Sequence, residues 1–508
     1  MFNLIITMKN NLFKNPKILE INTRVWIKRF GKDAILSSIT DEQISKWKED
    51  GFDLIWFMGV WLPNQDAVNE YCFEPAQIAS YNSALNDWQS EDVIGSPYAI
   101  DRYEINPLLG TLDDLLNLKR RLNEVGIKLI LDFICNHFSA RSSLIRTHKE
   151  IFLFADEYIF KNDPFTFYKS PVNSNEYLAH GRDPLFPPWK DTSQINFYSN
   201  YAREYLISVL INLAGICDGV RCDMAMLPLN NVFFNTWIGV LRKYGFERPE
   251  KEFWEEAIAK VKNKRDDFIF IAETYWDLEY QLQKLGFDYT YDKKLTDKLV
   301  AGNIQGIKGH LQAAKSYQEK SVRFLENHDE ERAIVKLGRE RSMAAAVIIS
   351  TIPGIDFYYD GQFEGKKIKL PVQLGREPFE KPDEKIKDFY KKLFIITKEE
   401  IFKNGDWKLL ETLPAGDNDF GFENLLAWEW RYKNELRIVV VNYNNFTSRC
   451  RLKFSVESTS AEVLLTDLLN GAAYKRYVNE INEKGLFVEL KSFNSHIFSF
   501  SEIINGGK

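Results

Sequence analysis

The feature that most constrains this chain is an alternation of short apolar, β-branched runs with segments of helical spacing. Eight runs follow in order: TRVWIKRF (23–30), DLIWFMGVW (53–61), IKLILDF (127–133), GVRCDMA (219–225), FIFIAET (268–274), a weaker stretch at 288–293, SVRFLENHD (321–329) and GIDFYYDGQ (354–362). Strands covered on both faces read as continuous apolar runs, and their alternation with helices implies a parallel sheet. Eight such units can close on themselves. The clearest unit starts at Thr111, an N-cap with Asp114 three residues on. It continues through Leu112, Leu115, Leu116, Leu122 and Val125 at helical spacing and stops at Gly126, before the third run.

Two regions break the rhythm. Residues 138–200 are rich in Pro, Asn, Tyr and Asp and lack helical periodicity, which reads as an excursion after the third strand. Beyond about residue 404 the pattern becomes short alternating strands: LLAWEWRY, ELRIVVVNY, RCRLKFSV, GLFVEL and SHIFSFSE. The expected architecture is α/β: a (β/α)8 TIM barrel in two parts (1–137 and 201–404), an inserted domain (138–200) and a C-terminal antiparallel β-sandwich (405–508).

Composition excludes several classes. The 66 Lys and Arg against 72 Asp and Glu give a net charge of −6, without the basic surface a nucleic-acid binder needs. The aromatic fraction of 14% suits stacking on sugars, although a Phe-rich core accounts for the bulk figure equally. Five cysteines, an odd number without a CxxC pair, fit a reducing, cytoplasmic setting. The N-terminal run MFNLIITMKNNLFKNPK lacks the basic start and cleavage site of a signal peptide, and no stretch is apolar enough to span a bilayer. No membrane or nucleic-acid partner is expected, and oligomeric state is left open.

Four expected strand ends carry acids: Asp132, Asp223, Glu273 and Asp329, with His137, Arg221 and His328 beside them. Any one alone reads equally well as a helix cap or a solvated loop acid. Four on one barrel rim would converge on one pocket. Arg221 and Asp223, two apart on a strand, share a face, and the guanidinium is expected to keep Asp223 ionised as a nucleophile. Glu273, after FIFIA, is expected in apolar surroundings that keep it protonated as the acid. Asp329 would strain the sugar ring, and His137 and His328 would bind its hydroxyls. A pair of this kind, ~5–5.5 Å apart, performs retaining glycoside hydrolysis.

These blocks carry a resemblance. DFICNH (132–137), GVRCD (219–223), IAET around Glu273 and ENHD (326–329) stand in the order of the signature regions of the alpha-amylase family, glycoside hydrolase family thirteen. The resemblance spans about residues 20–400. It implies a barrel with an inserted B domain, action on α-glucosidic bonds with retention, Asp223 as nucleophile, Glu273 as acid/base and Asp329 as stabiliser. His137, Arg221, His328, Asp132 and Tyr98 are the expected substrate-binding residues.

This chain also departs from the family. Where the family has Lys and His after the nucleophile, it has Met226 and Leu227. By position Pro97 falls where the family's stacking Tyr stands, with Tyr98 one residue on. The family's calcium site would use Asn136, but Gln194 replaces its Asp, so no metal or cofactor is expected. After the eighth run, Lys366, Lys367, Lys369 and Arg376 form a charge run that reads as a solvated face. The sharper alternative is that Arg376 or a lysine takes an anionic acceptor. The functional reading is a retaining hydrolase of oligosaccharides or small α-glucosides. The same intermediate with another acceptor would give a transglycosylase or phosphorylase. A non-catalytic sugar-binding scaffold is the third reading, against which all three carboxylates stand.

Overall fold

A computed structural model describes residues 14–502. Most of the N-terminal run, residues 1–13, lies outside the described residues, as do residues 503–508. Eight parallel strands close a barrel: β1 (Lys17–Asn22), β2 (Leu54–Met58), β3 (Lys128–Ile134), β4 (Gly219–Asp223), β5 (Ile269–Ala272), β6 (Tyr289–Tyr291), β7 (Ser321–Arg323) and β8 (Ile355–Tyr359). Each pairs with its neighbours in chain order, and β1 closes against β8, with Ile18 opposite Phe357.

The period-2 geometry of a strand sorts the side chains. Ile18, Leu54, Trp56, Ile130, Ile271, Tyr291, Val322 and Phe357 fill the barrel interior. Leu19, Ile55, Phe57, Leu129, Leu131, Val220 and Phe270 face the helical layer. Thr111 accepts from the N–H of Asp114 and starts the helix Leu112–Glu124, whose Leu115, Leu118 and Leu122 are buried. Gly126, at φ 77°, turns the chain into β3, a conformation glycine adopts without strain.

The first strand differs from expectation. TRVWIKRF folds as a helical turn, Thr23–Trp26 and then Ile27–Phe30, and the six residues before it, KILEIN, are β1. Lys17 and Glu20 hid this strand from a hydropathy reading, yet both are buried: Lys17 Nζ donates to Asp50 O and Thr397 Oγ1, and Glu20 pairs with His328. Partners far away in sequence make these buried polar groups tolerable.

Loops above the strand ends build the rim. Trp61–Pro63 pairs with Ile100–Ile105, and His137–Ser139 pairs with Thr192–Gln194. Between the last two lies a three-stranded sheet, Phe154–Ala155, Tyr177–Ala179 and Phe167–Lys169. The C-terminal region is a sandwich of a six-stranded and a three-stranded antiparallel sheet. One face of Leu425–Tyr432 and Glu435–Asn442, through Trp428, Trp430, Val439 and Val441, joins the core of the barrel's helices, and Trp430 Nε1 donates to Thr351 O at 2.7 Å. The other face, with Leu425, Ala427, Ile438 and Val440, packs inside the sandwich. The short strands Asp406–Leu409 and Thr412–Leu413, and the pair Glu462–Asp467 and Ala473–Tyr477, were not among the expected ones.

Candidate functional site

The site forms where β3, β4 and β5 end. Register places Arg221 of β4 beside Asp132 of β3 and Ile271 of β5. Arg221 points into the barrel, nearly inaccessible, with its guanidinium near the rings of Trp56, Tyr98 and Tyr291. Nη1 donates to Asp223 Oδ1 at 2.8 Å and Nη2 lies 2.7 Å from Glu273 Oε2. One guanidinium therefore touches two carboxylates on adjacent strand ends.

Glu273 is not in the apolar setting its sequence neighbours suggest. Besides Arg221, Oε2 takes the N–H of Met224 at 2.7 Å, and Oε1 takes the hydroxyl of Tyr275 at 2.9 Å. Asp223 also differs from expectation. Burial pushes its carboxyl up to about 7, with the Glu273 and Asp132 charges adding to the push and Arg221 opposing it. Desolvation outweighs the arginine, so Arg221 alone does not keep Asp223 ionised.

Asp329 is the open member. Its side chain is 55% exposed, and Oδ2 lies 3.0 Å from His328 Nε2. Against the upward push of desolvation, His328, Arg221 and Lys369 hold its carboxyl down at about 2. The Tyr98 hydroxyl is 2.8 Å from the same His328 nitrogen, and the two rings stack at 5.2 Å. His137 lies under Trp189, and burial lowers its pKa to about 4, leaving a neutral ring.

These groups meet at a cleft of about 540 Å³, lined among others by Tyr98, His137, Asp223, Met224, Glu273 and Asp329. The inserted segment supplies one wall with Phe165, Pro187, Pro188 and Trp189. Three expected substrate-binding residues stand back from it, Arg221 being nearly inaccessible inside the barrel. Asp132 is buried behind Arg221, its Oδ2 taking the N–H of Gly59 at 3.3 Å and its carboxyl raised to about 6 by burial. His328 is buried behind Tyr98 and Asp329, its other nitrogen on Glu20. Met226 and Leu227 are turned into the core, and Met224, at φ 42°, faces the cleft. Tyr275 and Glu20 were missed. Tyr275 lies past the end of β5, where strand parity no longer assigns a face, and Glu20 lies on the strand that hydropathy misplaced.

The charge run after β8 is largely spent on structure. Arg376 donates to Asp92 from Nε at 3.0 Å and Nη2 at 2.8 Å, and to Asp87 at 3.1 Å, tying this loop to the one after β2. Lys366 pairs with Glu377 at 2.7 Å, and Lys369 donates to the main-chain oxygen of Asp329. Arg376 is thus a clamp, not a free anion receptor.

The residues that would hold calcium do not suit it. Gln194 Nε2 lies 2.9 Å from Asn136 Oδ1 and 3.0 Å from the Asn136 main-chain oxygen, and Asn136 Nδ2 donates to Gln194 Oε1 at 3.2 Å. The oxygen a cation would need already accepts an N–H, and calcium sites draw on carboxylate oxygens. Among the described residues no cluster of three or more His, Cys, Asp or Glu is arranged to hold a metal.

The family profile "Alpha amylase, catalytic domain" matches residues 51–392. Alpha-amylase 3 of Dictyoglomus thermophilum is 27% identical over 329 residues, 60% of each chain. The alpha-1,4-glucan:maltose-1-phosphate maltosyltransferase of Picrophilus torridus is 26% identical over 371 residues, 68% of this chain and 50% of that protein. The alignments span about half to three fifths of the length of these curated relatives. Among solved structures, the noncanonic maltogenic alpha-amylase AmyB of Thermotoga neapolitana superposes with a TM-score of 0.68 at 21% identity, covering 96% of this chain and 99% of that one. With the profile matching well over half of the sequence, the chain belongs to the alpha-amylase family.

Proposed function

We propose that the protein is a retaining glycosidase acting on α-glucosidic bonds of oligosaccharides or small glucosides, in the cytoplasm. The observation that carries this reading is Arg221 bridging Asp223 and Glu273. Such closeness is what a retaining pair needs, its carboxyls ~5–5.5 Å apart. The Asp223 carboxylate attacks the anomeric carbon while Glu273 gives its proton to the glycosidic oxygen. The C–O bond breaks, the leaving sugar departs as an alcohol, and a glycosyl ester on Asp223 remains. Glu273, now a carboxylate, takes a proton from water, whose oxygen displaces Asp223 with the configuration retained. Arg221 is shared by both acids, so it compensates whichever carries charge. Asp329 takes sugar hydroxyls at the open rim, with Tyr98 and His137 against the ring.

The products of an α-linked oligosaccharide, followed by NMR before mutarotation, test this reading. An α-anomer formed first is expected; a β-anomer would overturn it. A second reading, transfer to a sugar or phosphate acceptor through the same ester, is supported by the maltosyltransferase relative and by Met226 and Leu227 turning away from the cleft. Transfer products exceeding free reducing sugar would select it.

A further inference from the structure

Glu20 sits at the inner end of the site, on a strand outside the residues matched by the family profile. Its side chain is fully buried. Oε1 lies 2.5 Å from His328 Nδ1, while Oε2 accepts no hydrogen bond. A buried carboxylate with an unsatisfied oxygen is costly, so the single contact it makes is the one to explain.

Resting on the functional reading above, we propose that Glu20 is a positioning residue that fixes the orientation of His328 and the protons on both its nitrogens, so that an N–H faces Asp329, which meets the substrate. The geometry favours two protons. A carboxylate oxygen at 2.5 Å from Nδ1 calls for an N–H there. Asp329 Oδ2 at 3.0 Å and the Tyr98 hydroxyl at 2.8 Å face Nε2, and a bare lone pair there would meet a carboxylate. With protons on both nitrogens, Nε2 donates to Asp329 and Nδ1 to Glu20.

The surrounding charges agree. Glu20 approaches from β1, Asp132 from β3, Arg221 from β4, Tyr98 from the loop after β2 and Asp329 from the same loop as His328. The edge of Trp56, on β2, closes the remaining side. Burial disfavours the charged ring, but the Asp329 and Glu20 carboxylates outweigh it and raise its pKa well above the ordinary value. Glu20 thereby helps keep Asp329 ionised at one remove. A glutamine at position 20 keeps an acceptor of the same shape and removes the charge, which separates positioning by charge from packing.

The experiment compares wild type with Glu20→Gln in two readouts. In ¹⁵N-histidine spectra, with only six histidines to assign, His328 is expected to hold both ring protons through neutral pH in wild type. In Glu20→Gln the ring should lose its second proton at lower pH than in wild type, because one of the two carboxylates that hold it is gone. In steady-state kinetics, kcat should fall about ten- to hundredfold, as expected for losing one charge-assisted hydrogen bond, with a new limb in the pH profile. A folded Glu20→Gln protein with wild-type kcat, pH profile and His328 titration would overturn the proposal. If Glu20→Gln lowers the folded fraction, the His328→Gln background decides: there Glu20→Gln should bring no further loss of kcat, and an equal loss in both backgrounds would overturn the proposal. Should wild type prove inactive on every glucoside tried, the functional reading fails while the ring spectra still test the Glu20–His328 contact.

Discussion

Replacing Asp223 by Asn should abolish activity and stabilise the fold, because the site holds a buried acid at a cost. Unfolded, Asp223 titrates near 3.8; folded, its carboxyl is pushed up to about 7. Between those values the native state binds more protons than the unfolded chain, so stability falls as pH rises across that window. Below about pH 4 the group is protonated in both states and costs nothing; above about pH 7 the whole penalty applies. The interval corresponds to about 4 kcal/mol. Asn removes that penalty but leaves Arg221 with one close carboxylate, Glu273, and Asp132 at 3.6 Å. Weakening the arginine's pairing offsets part of the gain, leaving about 1–3 kcal/mol. Urea unfolding of wild type and Asp223→Asn from pH 4 to 8 measures it. The curves should coincide at pH 4 and separate toward pH 8 with the variant more stable. A variant less stable than wild type at pH 8, or a difference independent of pH, would refute the reasoning.

Other outcomes follow from the same geometry. Tyr275→Phe removes one of the donors on Glu273 and should lower kcat about tenfold with little change in stability, measured by initial rates on an aryl α-glucoside. Arg376→Ala should leave the ratio of rates on phosphorylated and plain glucosides unchanged and cost at most about 1 kcal/mol in thermal unfolding, since its ion pairs are partly exposed. Chelation, or added calcium, should leave the unfolding temperature unchanged, because Gln194 occupies the hydrogen-bonding role beside Asn136; a chelator-sensitive melting curve would show that a cation binds.

Much of the barrel was legible because apolar strands in a parallel sheet stand out from amphipathic helices, and the acids at their ends mark the rim. Even Tyr289–Tyr291, only three residues long, fell within a segment flagged by that rhythm. What stayed hidden was held by partners distant in sequence. Glu20 looks like a surface residue until His328, 308 positions away, is packed on it. Ala473–Tyr477 is an edge strand with exposed alternate residues, so its sequence carries little apolar signal. The protonation of Asp223 was misread for a related reason. Sequence shows Arg221 two residues from Asp223, but not that the same guanidinium also reaches Glu273, nor how completely the barrel excludes water from all three.

Retaining hydrolysis here turns on a covalent bond between Asp223 and the sugar. The direct measurement is to treat the protein with an activated fluoro-glucoside whose deglycosylation is slow, digest it and sequence the labelled peptide by mass spectrometry. One glycosyl unit per chain, attached at Asp223 and absent from Asp223→Asn, is the expected result. A label at another carboxylate, or steady turnover of an α-glucoside with no covalent adduct at any time, would contradict it.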